Sequence, residues 1–172
     1  FQDGKVMTYN YEIACRHTTS LKITGAVPSN LLLKILRNSN DEEIDIGVKG
    51  KELRVNCKRS RSGLRMEEEI LLPIDSVDSP TKWKPLPEAF IEGLNAVANS
   101  TSSDQSLFAL TCVLVTPTHL DSCDNQSASR FKIKMPIKES FLLRRESTAA
   151  LSRMDVNKMS LSRDWIHFKN AS

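Results

Sequence analysis

The strongest constraint on the fold is a pattern that occurs twice, a short helical segment followed by a pair of alternating strands. In the first copy, residues 29–37 carry apolar side chains at helical spacing, and Pro28 and Ser29 are typical start signals. Residues 44–55 then alternate apolar and polar side chains on either side of a turn at residues 49–51, which predicts a β-hairpin. The first copy is therefore predicted to be a helix joined to an antiparallel hairpin.

The second copy lies 115 residues further along the chain and predicts a helix over Arg145–Arg153 followed by two strands. Four apolar positions match at this separation: Val27 with Leu142, Leu36 with Leu151, Ile44 with Met159, and Ile46 with Leu161. In this alignment the second hairpin connection, with its turn at residues 162–164, is predicted to be two residues shorter than the first, since Leu161 and Ile166 are five residues apart and Ile46 and Leu53 are seven apart. A helix followed by a hairpin is a common unit, so the repeat alone does not identify a fold.

The segments around the two copies predict further strands, a linker and one more helix. Residues 5–23 are rich in β-branched and aromatic side chains, which favours strands. An apolar patch at 70–72 precedes a proline-rich segment, 73–87, that is typical of a linker. The elements predicted after the linker are a helix over 88–98, a β-rich run over 107–115, a polar turn at 122–126, and a strand through Phe131, Ile133 and Met135. The predicted domains are residues 1–80 and 81–172.

Composition places the chain among ordinary globular proteins and gives little information about partners. The chain has 24 basic and 21 acidic residues, a balance that does not by itself indicate nucleic-acid binding. No apolar run is long enough to span a membrane, and no signal peptide is visible. The four cysteines are widely spaced, which is untypical of a disulfide scaffold and favours a reducing, cytoplasmic compartment.

No motif predicts an enzyme, a metal centre or a cofactor site. Cys15 with His17, and His119 with Cys123, have residue types that bind zinc, but the two pairs are far apart and neither forms a Cys-x-x-Cys knuckle. The glycine content is low, with no glycine-rich phosphate-binding loop, and the acidic runs are typical of solvated turns. We therefore expect no catalytic residues, no metal and no cofactor. Trp83 and Trp165 are both expected to pack against the protein rather than to bind a ligand.

Several stretches resemble bacterial-type DNA sliding clamps, the DNA polymerase III beta subunit family. In the first half, residues 23–28 read Ile-Thr-Gly-Ala-Val-Pro and residues 31–36 read Leu-Leu-Leu-Lys-Ile-Leu. The other stretches of this half are residues 41–46, 53–55 and 59–61. In the second half, residues 86–90 and 110–115 resemble the opening of the second clamp domain. Residues 122–131 stand where the family has an Asp-Gly-His-Arg turn, although that turn is altered here. The resemblance covers nearly the whole chain, as parts of the first and second clamp domains.

The resemblance implies an α+β fold, with repeated units of helix and antiparallel sheet. It also implies a non-catalytic processivity factor that encircles duplex DNA, binds the replicative DNA polymerase and the clamp loader, and forms a homo-oligomeric ring. Such a ring meets the phosphate backbone without reading sequence, so it can slide. The alternative is a non-enzymatic protein-interaction module with no DNA role. A third class, a zinc-dependent hydrolase, would require stoichiometric bound metal.

The resemblance also assigns candidate sites. The implied DNA-facing cations lie on or near the two repeated helices: Lys34, Arg37, Arg144, Arg145 and Arg153. The implied partner-docking residues lie at the altered turn and in the preceding strand: Leu110, Asp124, Asn125 and Arg130. The densest basic run, residues 58–65, has no interleaved aromatic residue to stack on bases, and a solvated strand and turn explain it equally well.

Overall fold

The computed structural model describes residues 1–67 and 77–170. The chain divides into two compact units, Phe1–Val77 and Asp78–Ser172. The apolar patch predicted at 70–72 lies outside the described residues. Within the described part of the chain, no helix has the length and apolar character that crossing a bilayer requires.

The first unit contains two small antiparallel sheets and one helix. A hairpin of strands β1 and β2 precedes helix α1, and a three-stranded sheet in the order β3-β4-β5 follows the helix. The bounds are β1 Lys5–Tyr9, β2 Ala14–Thr18, α1 Ser29–Arg37, β3 Asp45–Lys49, β4 Glu52–Asn56 and β5 Arg61–Arg65. The helix and the hairpin predicted from the first copy of the repeat are therefore both confirmed.

The core of the first unit lies between α1 and the three-stranded sheet. Leu53 on β4 is completely buried, and Leu64 on β5 is buried opposite it. Leu32 and Ile35 of α1 pack against this cluster from the helical side. The apolar spacing of the helix and the alternation of the strands thus meet at one surface, as the sequence pattern predicts.

The second unit contains a four-stranded sheet, a three-stranded sheet and two helices. The strand orders are β10-β7-β8-β9 and β12-β11-β6, and the helices α2 and α3 contact each other. The bounds are β6 Lys84–Pro85, α2 Phe90–Ala98, β7 Cys112–Val115, β8 His119–Cys123, β9 Ala128–Lys132, β10 Phe141–Arg144, α3 Arg145–Leu151, β11 Lys158–Leu161 and β12 Ile166–Lys169. The second helix–hairpin copy is confirmed as α3, β11 and β12.

Strand exchange links the two halves of the second unit. The first half runs β6, α2, β7 and the second runs β10, α3, β11, so each half places a helix between two strands. The first strand of each half pairs with a strand of the other half, because β6 pairs with β11 and β10 pairs with β7. Neither half can form its sheet alone, and one apolar core therefore includes both Phe90 of α2 and Met159 of β11.

The structure corrects four of the predicted boundaries. The predicted linker, 73–87, contains strand β6 of the second unit at its described end. The predicted β-rich run over 107–115 begins with a 3-10 helix, Phe108–Thr111, before β7. Strand β8 continues to Cys123, so the polar turn starts two residues later than predicted, and β9 ends before Ile133. The missed strand β6 is two residues long and includes a proline, a combination that gives no strand signal.

The repeat is confirmed, but its register changes by two residues between helix and hairpin. Ile46 pairs with Val55 and Met159 pairs with Phe168, a separation of 113 residues for both partners. Val48 with Leu53 and Leu161 with Ile166 are separated in the same way. The two hairpins therefore have the same length, and the predicted shorter second turn is wrong. Instead, the connection between α3 and β11 is two residues shorter than the connection between α1 and β3.

A buried hydroxyl in α3 gives a first stability prediction. Thr148 is 1% exposed, and its Oγ1 has no hydrogen-bond partner among the described residues. Thr101 is similarly buried, but its Oγ1 donates to the carbonyl of Ala98 at 2.7 Å. We expect Thr148→Val to raise the free energy of unfolding by about 1 kcal/mol, because valine keeps the shape and removes an unpaired polar group.

The matched control is Thr101→Val, which removes a formed hydrogen bond and should lower the free energy of unfolding by about 1 kcal/mol. Both effects can be measured by urea denaturation followed by tryptophan fluorescence, because Trp83 and Trp165 lie in the same unit as these threonines. Equal destabilisation by the two substitutions would contradict the assignment of Thr148 as an unpaired hydroxyl.

Candidate nucleic-acid interface

Helix α1 presents two exposed lysine and arginine side chains on the side that does not pack against the core. Lys34 and Arg37 are exposed in its last turn, while Leu32 and Ile35 face the apolar cluster. Basic side chains at a helix C-terminus are favourable because they lie near the negative end of the helix dipole. Within residues 1–67 and 77–170, neither side chain is in an ion pair. Their charge is therefore available to an external anion.

The cations predicted around α3 differ in their surroundings. Arg144 precedes the helix, and its guanidinium lies 5.5 Å from the centre of the Phe108 ring. Its Nε is also 3.6 Å from a carboxylate oxygen of Glu146. Arg145 and Arg153 are exposed, one at the start of the helix and the other beyond its end. Arg144 is thus held by contacts inside the unit, whereas the other two side chains extend into solvent.

The exposed surface of α2 carries no basic residue in the helix itself. Its exposed residues are Glu92, Asn95 and Ala96, and the helix contacts α3. The hydroxyl of Ser152 donates to Oδ1 of Asn95 at 2.6 Å and so joins the two helices. On this helix pair the positive charge therefore comes from the arginines at either end of α3.

The altered turn after β8 is a compact, hydrogen-bonded structure. The Oδ1 atom of Asp124 accepts hydrogen bonds from the backbone N–H groups of Ser127 and Gln126 and from the Ser127 hydroxyl. The N–H donors of Ser127 and then Gln126 lower the pKa of Asp124 below its usual value. Asn125 has a φ of 71°, a conformation that asparagine tolerates better than most residues. The turn is thus pre-formed without the glycine of the family pattern.

Arg130 is engaged within its own sheet. Its Nε and Nη2 atoms donate to the two carboxylate oxygens of Asp121 at 2.8 and 2.7 Å. The same carboxylate lies 3.2 Å from Nε2 of His119. Hydrogen bonding by Arg130 lowers the pKa of Asp121, and the carboxylate in turn raises the pKa of Arg130. A bidentate pair of this kind orients the guanidinium along β8 and β9.

An exposed apolar patch beside the predicted docking residue Leu110 was not found from the sequence. Leu107 is 50% exposed and Phe108 is 54% exposed, and both precede Leu110 at the 3-10 helix. Leu142 on the edge strand β10 is also exposed. A strand over 107–115 would bury every second side chain. The strand prediction therefore did not indicate that two adjacent residues, Leu107 and Phe108, are both exposed.

The described residues contain no group of three or more histidine, cysteine, aspartate or glutamate side chains that could hold a metal ion.

Comparison with solved structures confirms the predicted α+β, clamp-like fold. The chain matches the DNA polymerase III beta subunit of Thermotoga maritima with a TM-score of 0.71 at 16% identity, over 99% of this chain and 52% of that one. It matches the beta chain from Streptococcus pneumoniae with a TM-score of 0.72 at 15% identity, over 99% and 52%. For the Pseudomonas aeruginosa subunit the TM-score is 0.64 at 16% identity, over 97% and 52%.

The chain therefore spans about half the length of these structures, and at such identities the likeness establishes the fold. No protein-family model and no curated protein matched the sequence. The resemblance noted from the sequence is thus confirmed by the fold. The predicted DNA-facing and partner-docking residues stay predictions, with the surroundings described above.

Proposed function

We propose that this chain is part of a DNA polymerase processivity factor, a sliding clamp that encircles duplex DNA and docks replication proteins. The observation that carries the proposal is the match to DNA polymerase III beta subunits over nearly the whole chain. The repeated helix–hairpin units, with the same cross-strand pairs in both copies, support it. A ring of such units holds DNA by topology and needs neither a catalytic group nor a cofactor.

Lys34 and Arg37 are the strongest candidates for contacts with the DNA backbone. Both are exposed on α1, and both are free of ion pairs within the described part of the chain. Arg145 and Arg153 are the candidates on the second unit, where Glu146 reduces the local positive charge. Mobile cations of this kind neutralise phosphates without reading bases, which is what sliding requires.

Retention on circular DNA tests the proposal. The protein is placed on nicked circular duplex DNA by its clamp loader, the complex is isolated at high salt, and the circle is then cut once. We expect the protein to stay on the circle and to leave after cutting, because a ring can slide off free ends. Retention that is equal before and after cutting would show binding by surface affinity and would contradict the proposed topology.

Charge reversal on α1 separates the DNA contacts from ring closure. Lys34→Glu with Arg37→Glu should weaken binding to linear duplex at low salt, by about tenfold, since two phosphate contacts are lost. Lys5→Glu with Lys22→Glu, which reverses two exposed lysines of the same unit outside the helix, is the matched control and should have a smaller effect. Equal weakening by both changes would indicate a general charge effect and remove α1 as the interface.

The second candidate is a protein-interaction module with no DNA role. It is favoured by the exposed apolar patch of Leu107 and Phe108 and by the internal contacts of Arg130 and Arg144. Under this alternative, Phe108→Ala would abolish partner binding. Cutting a circular DNA or reversing the charges on α1 would leave partner binding unchanged. The circular-DNA experiment therefore distinguishes the two functions.

A further inference from the structure

An open hollow of ≈ 530 Å³ lies in the second unit, beside β6 and the end of β11. Four hydroxyl side chains line the hollow: Ser79, Thr81, Ser160 and Ser162. Lys82 and Lys84 add two ammonium groups, and Asp78 adds one carboxylate. The lining therefore combines hydroxyl groups with a small excess of positive charge, although the Ser162 hydroxyl donates to the carbonyl of Trp165.

The two lysines of the lining differ in how their ammonium groups are held. The Nζ of Lys84 donates to the carbonyl of Pro136 at 2.8 Å, which fixes the position of the ammonium group. Lys82 is exposed and in no ion pair within residues 1–67 and 77–170. Lys82 is thus the mobile cation of the hollow, whereas the ammonium group of Lys84 is held at Pro136.

Trp83, Lys169 and His167 form a contact network that reaches the lining residue Ser162. Trp83 lies between the two lysines in the chain, and the Nζ of Lys169 is 4.5 Å from its ring centre. The ring of His167 meets Trp83 edge to face, and its Nε2 is 3.0 Å from the Ser162 hydroxyl. Burial lowers the pKa of His167, while Asp78 acts in the opposite direction. The positive charge beside the hollow therefore comes from lysines rather than from this histidine.

We propose that this hollow binds a phosphate group carried by a small molecule. Phosphate oxygens accept hydrogen bonds from hydroxyl and ammonium groups, and lysine binds phosphate as a point charge. Lys82 supplies the charge, and Ser160, a residue of β11 that is only 6% exposed, supplies a hydroxyl group. The lining includes none of the residues proposed above for DNA contact or partner docking, and the proposed site does not depend on the clamp function.

Titration of the whole chain with inorganic phosphate and with AMP, at constant ionic strength, tests the site. The readout is the backbone amide chemical shift of residues 78–84 and 160–162. We expect saturable shifts confined to these residues, with dissociation constants in the millimolar range. Lys82→Gln should weaken binding about tenfold, as the loss of one charge-assisted hydrogen bond implies. Ser160→Ala should also weaken it, while Lys132→Gln, an exposed lysine at the end of β9, should not.

Each outcome has a defined meaning. Tighter binding of AMP than of phosphate would support the site and show that the ligand extends beyond the phosphate group. Equal binding would support a site for the phosphate group alone. Shifts that do not saturate, or equal weakening by Lys82→Gln and Lys132→Gln, would reflect general ionic attraction and overturn the proposal. Circular dichroism of each variant confirms that it is folded.

Discussion

Replacing Phe90 with alanine is expected to lower the free energy of unfolding of the second unit by about 3–5 kcal/mol. Phe90 is 1% exposed at the start of α2, and its ring stacks on that of Phe168 with centroids 5.9 Å apart. Alanine would remove the buried ring and leave a cavity where both halves of the unit meet. Because strand exchange makes the halves interdependent, the surrounding side chains can collapse only partly into that space.

The measurement is urea denaturation followed by tryptophan fluorescence, which reports on the second unit because both tryptophans, Trp83 and Trp165, lie there. Phe108→Ala is the matched control, because it makes the same chemical change at a ring that is 54% exposed. We expect this control to cost about 1 kcal/mol or less. A loss at Phe90 no larger than that at Phe108 would show that α2 does not anchor the core.

The sequence predicts the helices and the two repeated hairpins because their signals are local. In α1, the start signal at Pro28 and the apolar spacing of Leu32 and Ile35 lie within one short segment. The alternation of β4 likewise places Leu53 and Val55 on one buried face. Local periodicity is enough wherever an element packs a single face against the core.

The elements that sequence reasoning missed depend on contacts between distant residues. Strand β6 exists because Lys84 pairs with Met159, a partner 75 residues away whose position no local pattern indicates. The register of the repeat was wrong by two residues because apolar residues at Ile44 and Ile46 fit either alignment. Only the pairing of Ile46 with Val55 selects the correct one.

The candidate sites show the same limit. The residue types were sufficient to identify exposed cations on α1, since helical periodicity separates Lys34 from the partly buried side chains of Leu32 and Ile35. They were not sufficient to show that Arg130 is engaged by Asp121 or that Arg144 lies over Phe108. Both contacts join different elements, and which cations remain available to a ligand is therefore decided by the fold.

Gly25 provides the second large effect, in the first unit. Its φ is +138°, and a Cβ atom added there would lie 2.5 Å from Cε of Met66 and 3.3 Å from the carbonyl oxygen of Glu67. The methionine side chain can move, but the carbonyl belongs to a backbone bridge between Ala26 and Glu67. Gly25→Ala is therefore expected to lower the free energy of unfolding by about 2–3 kcal/mol, from backbone strain and crowding together.

Gly47→Ala is the matched control, because an added Cβ atom at Gly47 on β3 meets no other atom within 4 Å. Alanine there should be neutral or slightly stabilising, since it reduces the conformational entropy of the unfolded chain. Amide hydrogen exchange of β4 and β5 measures both variants in the first unit, which contains no tryptophan. Faster exchange in Gly25→Ala alone would identify the backbone at Gly25, rather than the general loss of a glycine, as the source of the instability. Unchanged exchange in that variant would contradict the strained conformation.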